Sequence, residues 1–397
     1  MPYIEDRLVH DADAHIMETP EMLERYAEPQ WREKVRALDV FHAVAGFHDR
    51  MGEVTARHDD PAWRAKDATE IMLRKSWDGI GSFRREDRPA ALDHIGVASQ
   101  LVFNTMLSGF LVDAEHGDDV DFAYALARLH NRAMADFCAV DRRLLSTLYV
   151  PLADLARVDT MADEVIAQGA SAILIPSQCP DGHSPSHVGL DGLWARAQEA
   201  GIPIVFHVGG GGPLLSPDYF NNGLPPVPDF HGGAENFRSV DYMAIPYPVM
   251  QTLATMILDR VLDRFPTLKI GVIEQGAAWV PGWMRSLDSA HAAFYKNEER
   301  LQQMSLRPSE YVRRQIRVTP YPHEDTGWIV EQAGEEVCLF SSDYPHVEGG
   351  RNPMKRFGDA LAGVSERAQQ RFYCDNFVDM MGAGLPEDLR AAKRRAA

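Results

Sequence analysis

The sequence predicts an α/β fold, a (β/α)8 TIM barrel with an inserted cap after its first strand and a long loop after its fifth. Two observations support this prediction. Eight apolar runs rich in β-branched residues alternate with stretches of helical periodicity. Three of these runs end at or just before His or Asp side chains, and the functional residues of such barrels lie at the C-terminal ends of the strands.

The predicted strands are short, and most are rich in Val, Ile and Leu. They cover residues 8–13, 98–103, 145–150, 172–175, 203–207, 269–274, 315–319 and 337–342. Amphipathic stretches between them predict helices at residues 120–140, 155–168, 189–200, 247–265, 277–296 and 325–333. Gly169 and Gly201 mark helix ends, where a left-handed residue is common. Because this alternation runs along the chain, we predict a single domain, residues 1–397.

Two segments are too long to be simple connections between a strand and a helix. The first, about residues 20–90, follows the first strand, and we interpret it as a cap. The second, residues 209–247, follows the fifth strand and begins with four consecutive glycines. Long loops at this face of a barrel often carry specificity, so we interpret the second segment as a substrate loop.

The composition limits the partners of the chain. A net charge of −18 disfavours nucleic acid and anionic membrane surfaces. Because no apolar stretch is long enough to span a bilayer and no secretory signal is recognisable, we expect a cytoplasmic protein. The four cysteines form no CxxC pair, which argues against a structural zinc module. We therefore expect a small-molecule substrate, and a homodimer on general frequency alone.

Metal-binding side chains recur where the predicted strands end. The first strand leads into Asp11-Ala-Asp13-Ala-His15-Ile-Met-Glu18, the fifth ends in Phe206-His207, the sixth in Glu274, and the eighth in Ser342-Asp343-Tyr-Pro-His346. Imidazoles and carboxylates suit Zn, Mn and Fe. We therefore predict a metal site at the mouth of the barrel, with these ligands: Asp13, His15, Glu18, His207, Glu274, Asp343 and His346.

Several of these residues also have a structural interpretation. Glu18 lies near the start of a predicted helix, a common position for acidic side chains. His346 can instead bind loop backbone, and His207 can be a buried core histidine. Glu274 favours metal contact, because a buried carboxylate without a partner is costly. By their position after strands or in the long loop, four residues are predicted to bind substrate: Asn104, His231, Tyr321 and His323.

The motifs, taken in strand order, resemble those of the amidohydrolase-related family. That family, part of the amidohydrolase superfamily, includes aminocarboxymuconate semialdehyde decarboxylase and the resorcylate-type decarboxylases. The resemblance extends from Asp11 to about Phe377. It implies a (β/α)8 barrel in which the metal is held by Asp13, His15, His207 and Asp343.

The chain departs from the family pattern at two positions. Many members carry His-x-His on the first strand, where this chain has Asp13-Ala-His15. The decarboxylases end the sixth strand with His, where this chain has Glu274. Extra carboxylates repel one another unless divalent charge offsets them, and a second cation would do so. This composition resembles the nonheme diiron or iron-manganese monooxygenases of the superfamily, so two Fe, or Fe with Mn, are the predicted cofactors.

On this basis we prefer O2-dependent hydroxylation of a small, carboxylate-bearing molecule. The alternative is a metal-dependent hydrolase of a C–C, amide or ester bond, with Zn as the metal and Glu274 or Asp343 as the general base. Non-oxidative decarboxylation is a third option, weakened by the missing sixth-strand His. A fourth is a non-catalytic subunit paired with an active paralogue.

Overall fold

Seven parallel strands form the centre of the molecule. The structure, a computed structural model, describes residues 1–42, 44, 46–225 and 238–390. Each strand pairs with the next one along the chain, in the order β1 to β7. Their bounds agree with the predicted strands to within two residues: β1 (His10–His15), β2 (Ser99–Phe103), β3 (Leu144–Tyr149), β4 (Ala172–Leu174), β5 (Ile204–His207), β6 (Ile270–Ile273) and β7 (Ile316–Val318).

The apolar runs form strands because both faces of the sheet are covered. Every residue of the seven strands is buried, as expected for parallel strands flanked by helices. The register aligns the strand ends, since His15 pairs with Phe103 and His207 pairs with Ile273. Side chains at or just after these ends therefore lie along one edge of the sheet.

The predicted eighth strand, residues 337–342, is not a regular strand. Among the described residues of this segment, Cys338 and the nearby Tyr344 form only isolated bridges, to Val318 and Ala14. The segment still lies between β7 and β1, because Leu339 N donates to the carbonyl of Val318 and residue 344 accepts from His15 N. Within it, the N–H of Ser342 donates to the carboxylate of Asp11 and not to the backbone of a neighbouring strand.

Helices fill the connections. The segment between β1 and β2 contains α1 (Pro20–Tyr26), α2 (Arg32–Ala37), α3 (Phe47–Asp59), α4 (Pro61–Arg64), α5 (Asp67–Glu70) and α6 (Arg88–Ile95). The later connections contain α7 (Ser108–Glu115), α8 (Val120–Cys138), α9 (Val158–Ala167), α10 (Asp191–Ala200), α11 (Ser239–Ala244), α12 (Tyr247–Leu258), α13 (Val261–Arg264), α14 (Val280–Phe294), α15 (Glu299–Gln302), α16 (Pro308–Gln315) and α17 (Thr326–Ala333). The chain ends with α18 (Pro353–Ala360), α19 (Glu366–Gln370), α20 (Asn376–Met381) and α21 (Glu387–Arg390).

One predicted helix is interrupted. The stretch 247–265 forms two helices, α12 and α13, because Arg260 between them has φ +64°. A residue with a side chain rarely adopts this left-handed conformation inside a helix. None of the described helices is both long enough and apolar enough to cross a membrane.

The segment between β1 and β2 packs on the irregular segment that follows β7. Ser76 N donates to the carbonyl of Pro345 over 2.8 Å, and the hydroxyl of Tyr344 donates to the carbonyl of Ile80, also over 2.8 Å. The indole N–H of Trp77 donates to the carbonyl of Glu18. These bonds hold residues 75–80 beside the strand ends.

Candidate metal centre

Side chains from three strand ends converge at one edge of the sheet. Asp13 and His15 belong to β1, His207 is the last residue of β5, and Glu274 directly follows β6. Each offers a ligand atom, and the four atoms all lie within 4.8 Å of one another. All four residues are buried. We call this set the strand group.

A second set shares two of these residues. His15 and Glu274 also lie within 4.8 Å of ligand atoms of Asp343 and His346. These last two side chains come from the irregular segment after β7, and both are buried. We call Asp343 and His346 the loop pair. The six residues that the two sets contain are all among those predicted to bind metal.

The contacts between these side chains are short. Nε2 of His15 lies 3.1 Å from Asp13 Oδ1 and 3.5 Å from Asp343 Oδ1. Nε2 of His207 lies 3.2 Å from Glu274 Oε2. Nδ1 of His346 lies 3.1 Å from Asp343 Oδ1. Imidazole nitrogens and carboxylate oxygens thus face one another around a single buried centre.

Hydrogen bonds on the outer side fix two of the imidazoles. Nδ1 of His15 lies 2.9 Å from the carbonyl oxygen of Asn104, and Nδ1 of His207 lies 2.9 Å from its neighbour's carbonyl, that of Val208. A carbonyl only accepts, so both Nδ1 atoms carry the hydrogen. In the neutral ring, Nε2 then presents its lone pair to the centre, the arrangement of a histidine that binds metal.

A hydrogen bond with Thr105 fixes the tautomer of His346, so that its other ring nitrogen also presents a lone pair to the centre. The hydroxyl of Thr105 lies 2.8 Å from Nε2 of His346 and donates its one hydrogen to the carbonyl of Ile16 over 2.7 Å. It must therefore accept from Nε2–H of His346. The lone pair of Nδ1 is left facing the carboxylate of Asp343.

The centre is consequently a cluster of acceptors that needs a cation. Asp13 Oδ2, Glu274 Oε2 and both oxygens of Asp343 are buried and make no hydrogen bond with the described residues. Leaving buried polar atoms unpaired is costly. A divalent metal would bind several of these oxygens and offset the negative charge of the others, and the mixture of nitrogen and oxygen donors suits Zn, Mn and Fe. The residues present therefore fit a metal ion.

Without a metal, protons take the place of the cation. Burial lowers the pKa of His207, but contacts with Asp13 and Glu274 outweigh burial and raise it to about 9. For His15, the same opposition leaves the pKa well above its usual value. Binding of a metal must therefore displace protons from the imidazoles.

The pKa values of Glu274 and Asp343 are shifted in opposite directions. Burial alone would raise the pKa of Glu274, but close contacts with the imidazoles of His15 and His207 hold it below the usual value. Burial, together with the charges of Glu274 and Asp13, raises the pKa of Asp343 well above its usual value. Glu274 thus remains an anion suited to a metal, whereas Asp343 is the carboxylate that binds a proton most readily.

Backbone strain marks the same two carboxylates. Glu274 has φ +54° and Asp343 has φ +52°. Non-glycine residues rarely occupy this left-handed region, and such strain concentrates at functional sites. At both positions the turn directs a carboxylate to the centre directly after an extended segment.

Glu18, also predicted as a ligand, lies outside both sets. Its carboxylate accepts hydrogen bonds from the backbone N–H groups of Thr105, Met106 and Leu107, at 2.9–3.3 Å. These bonds fix the turn after β2, which carries the carbonyl of Asn104 and the hydroxyl that hold two of the imidazoles. The structure therefore gives Glu18 a supporting position and not a position among the ligands.

Of the four residues predicted to bind substrate, two line clefts at the centre and one is exposed. Asn104 lines a cleft beside His207, and Tyr321 lines another beside Asp13, Glu274 and Asp343. The Tyr321 hydroxyl also donates to the carbonyl of Glu274. His323 is exposed and stacks on Tyr321, with ring centres 5.5 Å apart, away from the ligands. His231 lies outside the described residues.

Two supporting residues were not predicted from the sequence. Thr105 fixes the tautomer of His346, as described above. Asp11 accepts from Ser342 N at 2.8 Å, Ser342 Oγ at 2.6 Å and Gln100 Nε2 at 2.9 Å, and burial raises its pKa to about 6. The position of Asp11, two residues before Asp13, is the only sequence signal for this role.

Comparison with known proteins identifies the family. The sequence matches the profile of the Amidohydrolase family over residues 11–376, and the chain belongs to that family. No curated protein matches the sequence at a significant level.

Solved structures share the fold. An amidohydrolase from Mycobacterium avium subsp. paratuberculosis superposes with a TM-score of 0.68 and 23% identity, over 96% of this chain and 100% of that one. The 5-carboxyvanillate decarboxylase of Sphingomonas paucimobilis gives a TM-score of 0.60 and 17% identity, over 95% and 99% of the two chains. A dihydroxybenzoic acid decarboxylase from a Polaromonas species, solved with manganese, gives 0.61 and 15%, over 95% and 97%.

Family, fold and site together define a metal-dependent enzyme with a centre of carboxylates and imidazoles. These relatives are amidohydrolases and decarboxylases. They therefore give no support to the function preferred from the sequence, which was hydroxylation at a diiron centre. That hypothesis rested on carboxylates at two positions where many family members carry His, Asp13 and Glu274, and the structure places both side chains in the strand group.

Proposed function

We propose that this protein is a divalent-metal-dependent hydrolase of a small organic molecule, acting at the C-terminal ends of the strands. One observation carries the proposal: three imidazole nitrogens and three carboxylates face one another as acceptors in a buried centre. Such a cluster needs a cation. A bound divalent cation supplies Lewis acidity, which polarises a substrate carbonyl and makes water more acidic.

The strand group, Asp13, His15, His207 and Glu274, would hold this cation. The strand group and the loop pair compete for Nε2 of His15, and a nitrogen with one lone pair binds one ion. The strand group is complete without the loop pair, so we propose one fully ligated metal. Mn²⁺ and Zn²⁺ both suit these donors, and related decarboxylase structures contain manganese. The two iron ions predicted from the composition remain a prediction for metal analysis.

Asp343 is the proposed general base. Its Oδ1 lies 3.1 Å from Nδ1 of His346, and burial holds the pKa of His346 well below its usual value while that of Asp343 is raised. These opposite shifts favour a proton on Asp343 over one on His346 when no metal is bound. A cation held by the strand group would offset the negative charges of Glu274 and Asp13, and the pKa of Asp343 would then fall towards its usual value. Asp343 can then accept a proton from the attacking water and return it to the leaving group.

Non-oxidative decarboxylation is the second candidate. It is supported by the decarboxylases among the structural relatives and by the raised pKa of Asp343, which also suits a proton donor to carbon. Glu274 is a poor donor, since its pKa is held low by His15 and His207. Hydrolysis is preferred because the residue that follows the sixth strand is this carboxylate, with its lowered pKa, and not an imidazole.

We propose that residues 20–90 cap the centre within a single domain, which the bonds from Ser76 to Pro345 and from Tyr344 to Ile80 support. We also propose that Asn104 and Tyr321 contact the substrate, since each lines a cleft at the centre. Pairing with a second subunit and a cytoplasmic location remain predictions.

Metal-loaded protein and an oxygen-free assay test the function. Protein reconstituted with Mn²⁺ or Zn²⁺ is incubated without O2 with esters, amides, β-diketones and hydroxybenzoates. The proposal expects turnover with incorporation of ¹⁸O from labelled water into the product. Release of CO2 without ¹⁸O incorporation would establish the decarboxylase instead. Turnover that requires O2 would overturn both candidates and restore the hydroxylase.

A further inference from the structure

Arg88 is a completely buried cation at the start of α6, where the proposed cap, residues 20–90, ends. Its hydrogen-bond partners among the described residues are uncharged: the carbonyls of His15 and Gly81 and the side-chain oxygen of Gln100. Its Nη2 has no partner among them. Burying a charge without a charged partner is costly, so a guanidinium group at this position indicates a role beyond packing.

The contacts of Arg88 join three parts of the molecule. Its Nη1 donates to the carbonyl of His15, in the strand group, over 2.9 Å and to that of Gly81, in the cap, over 3.2 Å. The ring of Tyr344, the residue after Asp343, lies 5.2 Å from the guanidinium carbon, within the range of a cation–π contact. One side chain therefore contacts the strand group, the cap and the irregular segment that follows β7.

The backbone of His15 is bound on both sides by this arrangement. Its N–H donates to the carbonyl of Tyr344 over 2.7 Å, and its carbonyl accepts from Arg88. Because the imidazole is attached to this backbone, the two bonds help to set where its Nε2 lies. A loss of the bond from Arg88 would therefore reach a predicted metal ligand directly.

Arg88 also orients the side chain that supports Asp11. Its Nε donates to Oε1 of Gln100 over 3.1 Å, and Nε2 of Gln100 donates to Asp11 over 2.9 Å. A guanidinium group only donates, so the amide oxygen of Gln100 must face Arg88 and its NH2 must face Asp11. Since Asp11 binds Ser342, Arg88 acts on the segment of the loop pair through Gln100 as well.

The cap packs directly on the backbone of Arg88. Gly81 has φ +67°, and a Cβ added there would lie 2.4 Å from the Cα of Arg88. Only glycine permits so close an approach in this conformation. A displacement of the cap at Gly81 is therefore transmitted to Arg88.

We propose that Arg88 is a positioning residue that couples the metal centre to the cap, so that the ligands reach their metal-binding geometry only when the cap is docked. The inference rests on the proposed function, because it takes the strand group as the site of the metal. Such coupling is reciprocal: a docked cap favours metal binding, and bound metal stabilises the docked cap. A merely structural role for Arg88 predicts lower stability without either effect.

Arg88→Lys tests the coupling, because lysine keeps the charge but lacks the planar fork that reaches several acceptors at once. Arg317→Lys is the matched control. Arg317 is also buried and donates to two backbone carbonyls, but it pairs with Asp379, which also binds Lys269 just before β6, at the opposite edge of the sheet. Urea midpoints report the loss of stability in both variants.

The metal readouts should separate the two variants. We expect Arg88→Lys to raise the Mn²⁺ dissociation constant, measured by calorimetry, by about 10–100-fold, as for other residues that support ligands. It should also shift the visible absorption of bound Co²⁺, which reports ligand geometry. Arg317→Lys should change neither quantity.

Hydrogen exchange tests the reverse direction on the unaltered chain. Mn²⁺ should slow amide exchange in residues 76–82 of the cap, as followed by mass spectrometry of peptides. In the metal-free protein, Arg88→Lys should speed exchange in residues 76–82 and 342–346, and Arg317→Lys should speed it in neither segment.

A folded Arg88→Lys variant with unchanged Mn²⁺ affinity and Co²⁺ absorption overturns the inference. So does an unaltered chain in which bound Mn²⁺ leaves exchange in residues 76–82 as it was, and this result holds even if the variant fails to fold. A chain that binds neither ion contradicts the proposed function. The positioning role is then decided by metal-free exchange in residues 342–346: faster exchange in Arg88→Lys supports it, and unchanged exchange overturns it.

Discussion

The two halves of the candidate centre are built in different ways. The strand group stands on β1, β5 and the end of β6, and the pairing of these strands fixes where its side chains lie. The loop pair, Asp343 and His346, lies on a segment without regular pairing. Hydrogen bonds that this segment donates to Asp11, Thr105 and Ile80 hold it in place. The sheet fixes the geometry of the strand group, whereas the geometry of the loop pair depends on individual side-chain hydrogen bonds.

This difference suggests a division of labour. Strand ends provide rigid positions, which a metal requires because its ligands must keep their distances. A segment held by a few side-chain bonds can be adjusted residue by residue, which suits groups that move protons or meet substrate. The strand group should therefore control metal content, and the loop pair should control turnover.

Removal of His15 should have the largest effect. Because its Nε2 belongs to both sets of four ligand atoms, His15→Ala damages every arrangement of the metal. We expect metal affinity to fall by more than the roughly 10–100-fold that is typical when a supporting residue is lost, and turnover to disappear. Metal content after dialysis, measured by mass spectrometry, checks this. His323→Ala, the same change at an exposed histidine, should leave metal content unchanged.

Asp343→Asn should separate the two halves. Asparagine tolerates the left-handed backbone at φ +52° but cannot act as a base. Loss of a general base lowers turnover by about 10²–10⁴-fold, while the strand group keeps the metal. Metal content and steady-state rates are measured on the same preparation. A loss of metal comparable to that of His15→Ala would make Asp343 a ligand and contradict the division of labour.

The sheet and the strand group followed from the sequence because both depend on local patterns. Runs such as Ile270–Ile273 are apolar throughout, since both faces are covered, and a polar residue after such a run must lie at the strand end. His15, His207 and Glu274 were predicted in this way, and the structure brings them together.

Other features depend on contacts between distant segments, and local patterns did not reveal them. The pattern of residues 337–342 predicts a strand, but the N–H of Ser342 donates to the carboxylate of Asp11. Glu18 follows His15 by three residues and was predicted as a ligand, but its carboxylate accepts hydrogen bonds from the backbone N–H groups of residues 105–107.

Weakening the support of the loop segment should have an intermediate effect. In Asp11→Asn, an amide NH2 replaces one oxygen that accepts from Ser342 and Gln100, so a donor faces a donor. We expect metal affinity to fall by about 10–100-fold, as for other residues that support ligands. The control is Asp141→Asn, because Asp141 pairs with Arg143 just before β3 begins, at the opposite edge of the sheet. Equal metal affinities in the two variants would show that Asp11 does not position the centre.

Metal affinity should also rise with pH. The pKa of His207 is about 9 in the metal-free site, so the ring is protonated below that pH and must release a proton to bind metal. Affinity should therefore increase by about tenfold per pH unit for each proton displaced, between pH 7 and 9, and level off above. Calorimetry in buffers of different ionisation enthalpy counts the protons released. A metal affinity that does not change over this range would mean that the metal does not displace a proton from His207, and that His207 is not a ligand.

Glu18→Gln should have the smallest effect on the centre and a measurable one on stability. The carboxylate accepts three backbone N–H groups, and the amide replaces one accepting oxygen with a donor. A buried donor left without its acceptor costs about 1–3 kcal/mol, so the urea midpoint of the metal-free protein should fall. Metal content should match that of the unaltered chain, because Glu18 lies outside both ligand sets. Glu24→Gln, at an exposed glutamate of α1 paired with Arg36, should change neither property. Loss of metal from Glu18→Gln alone would contradict this expectation and show that the centre depends on the turn after β2.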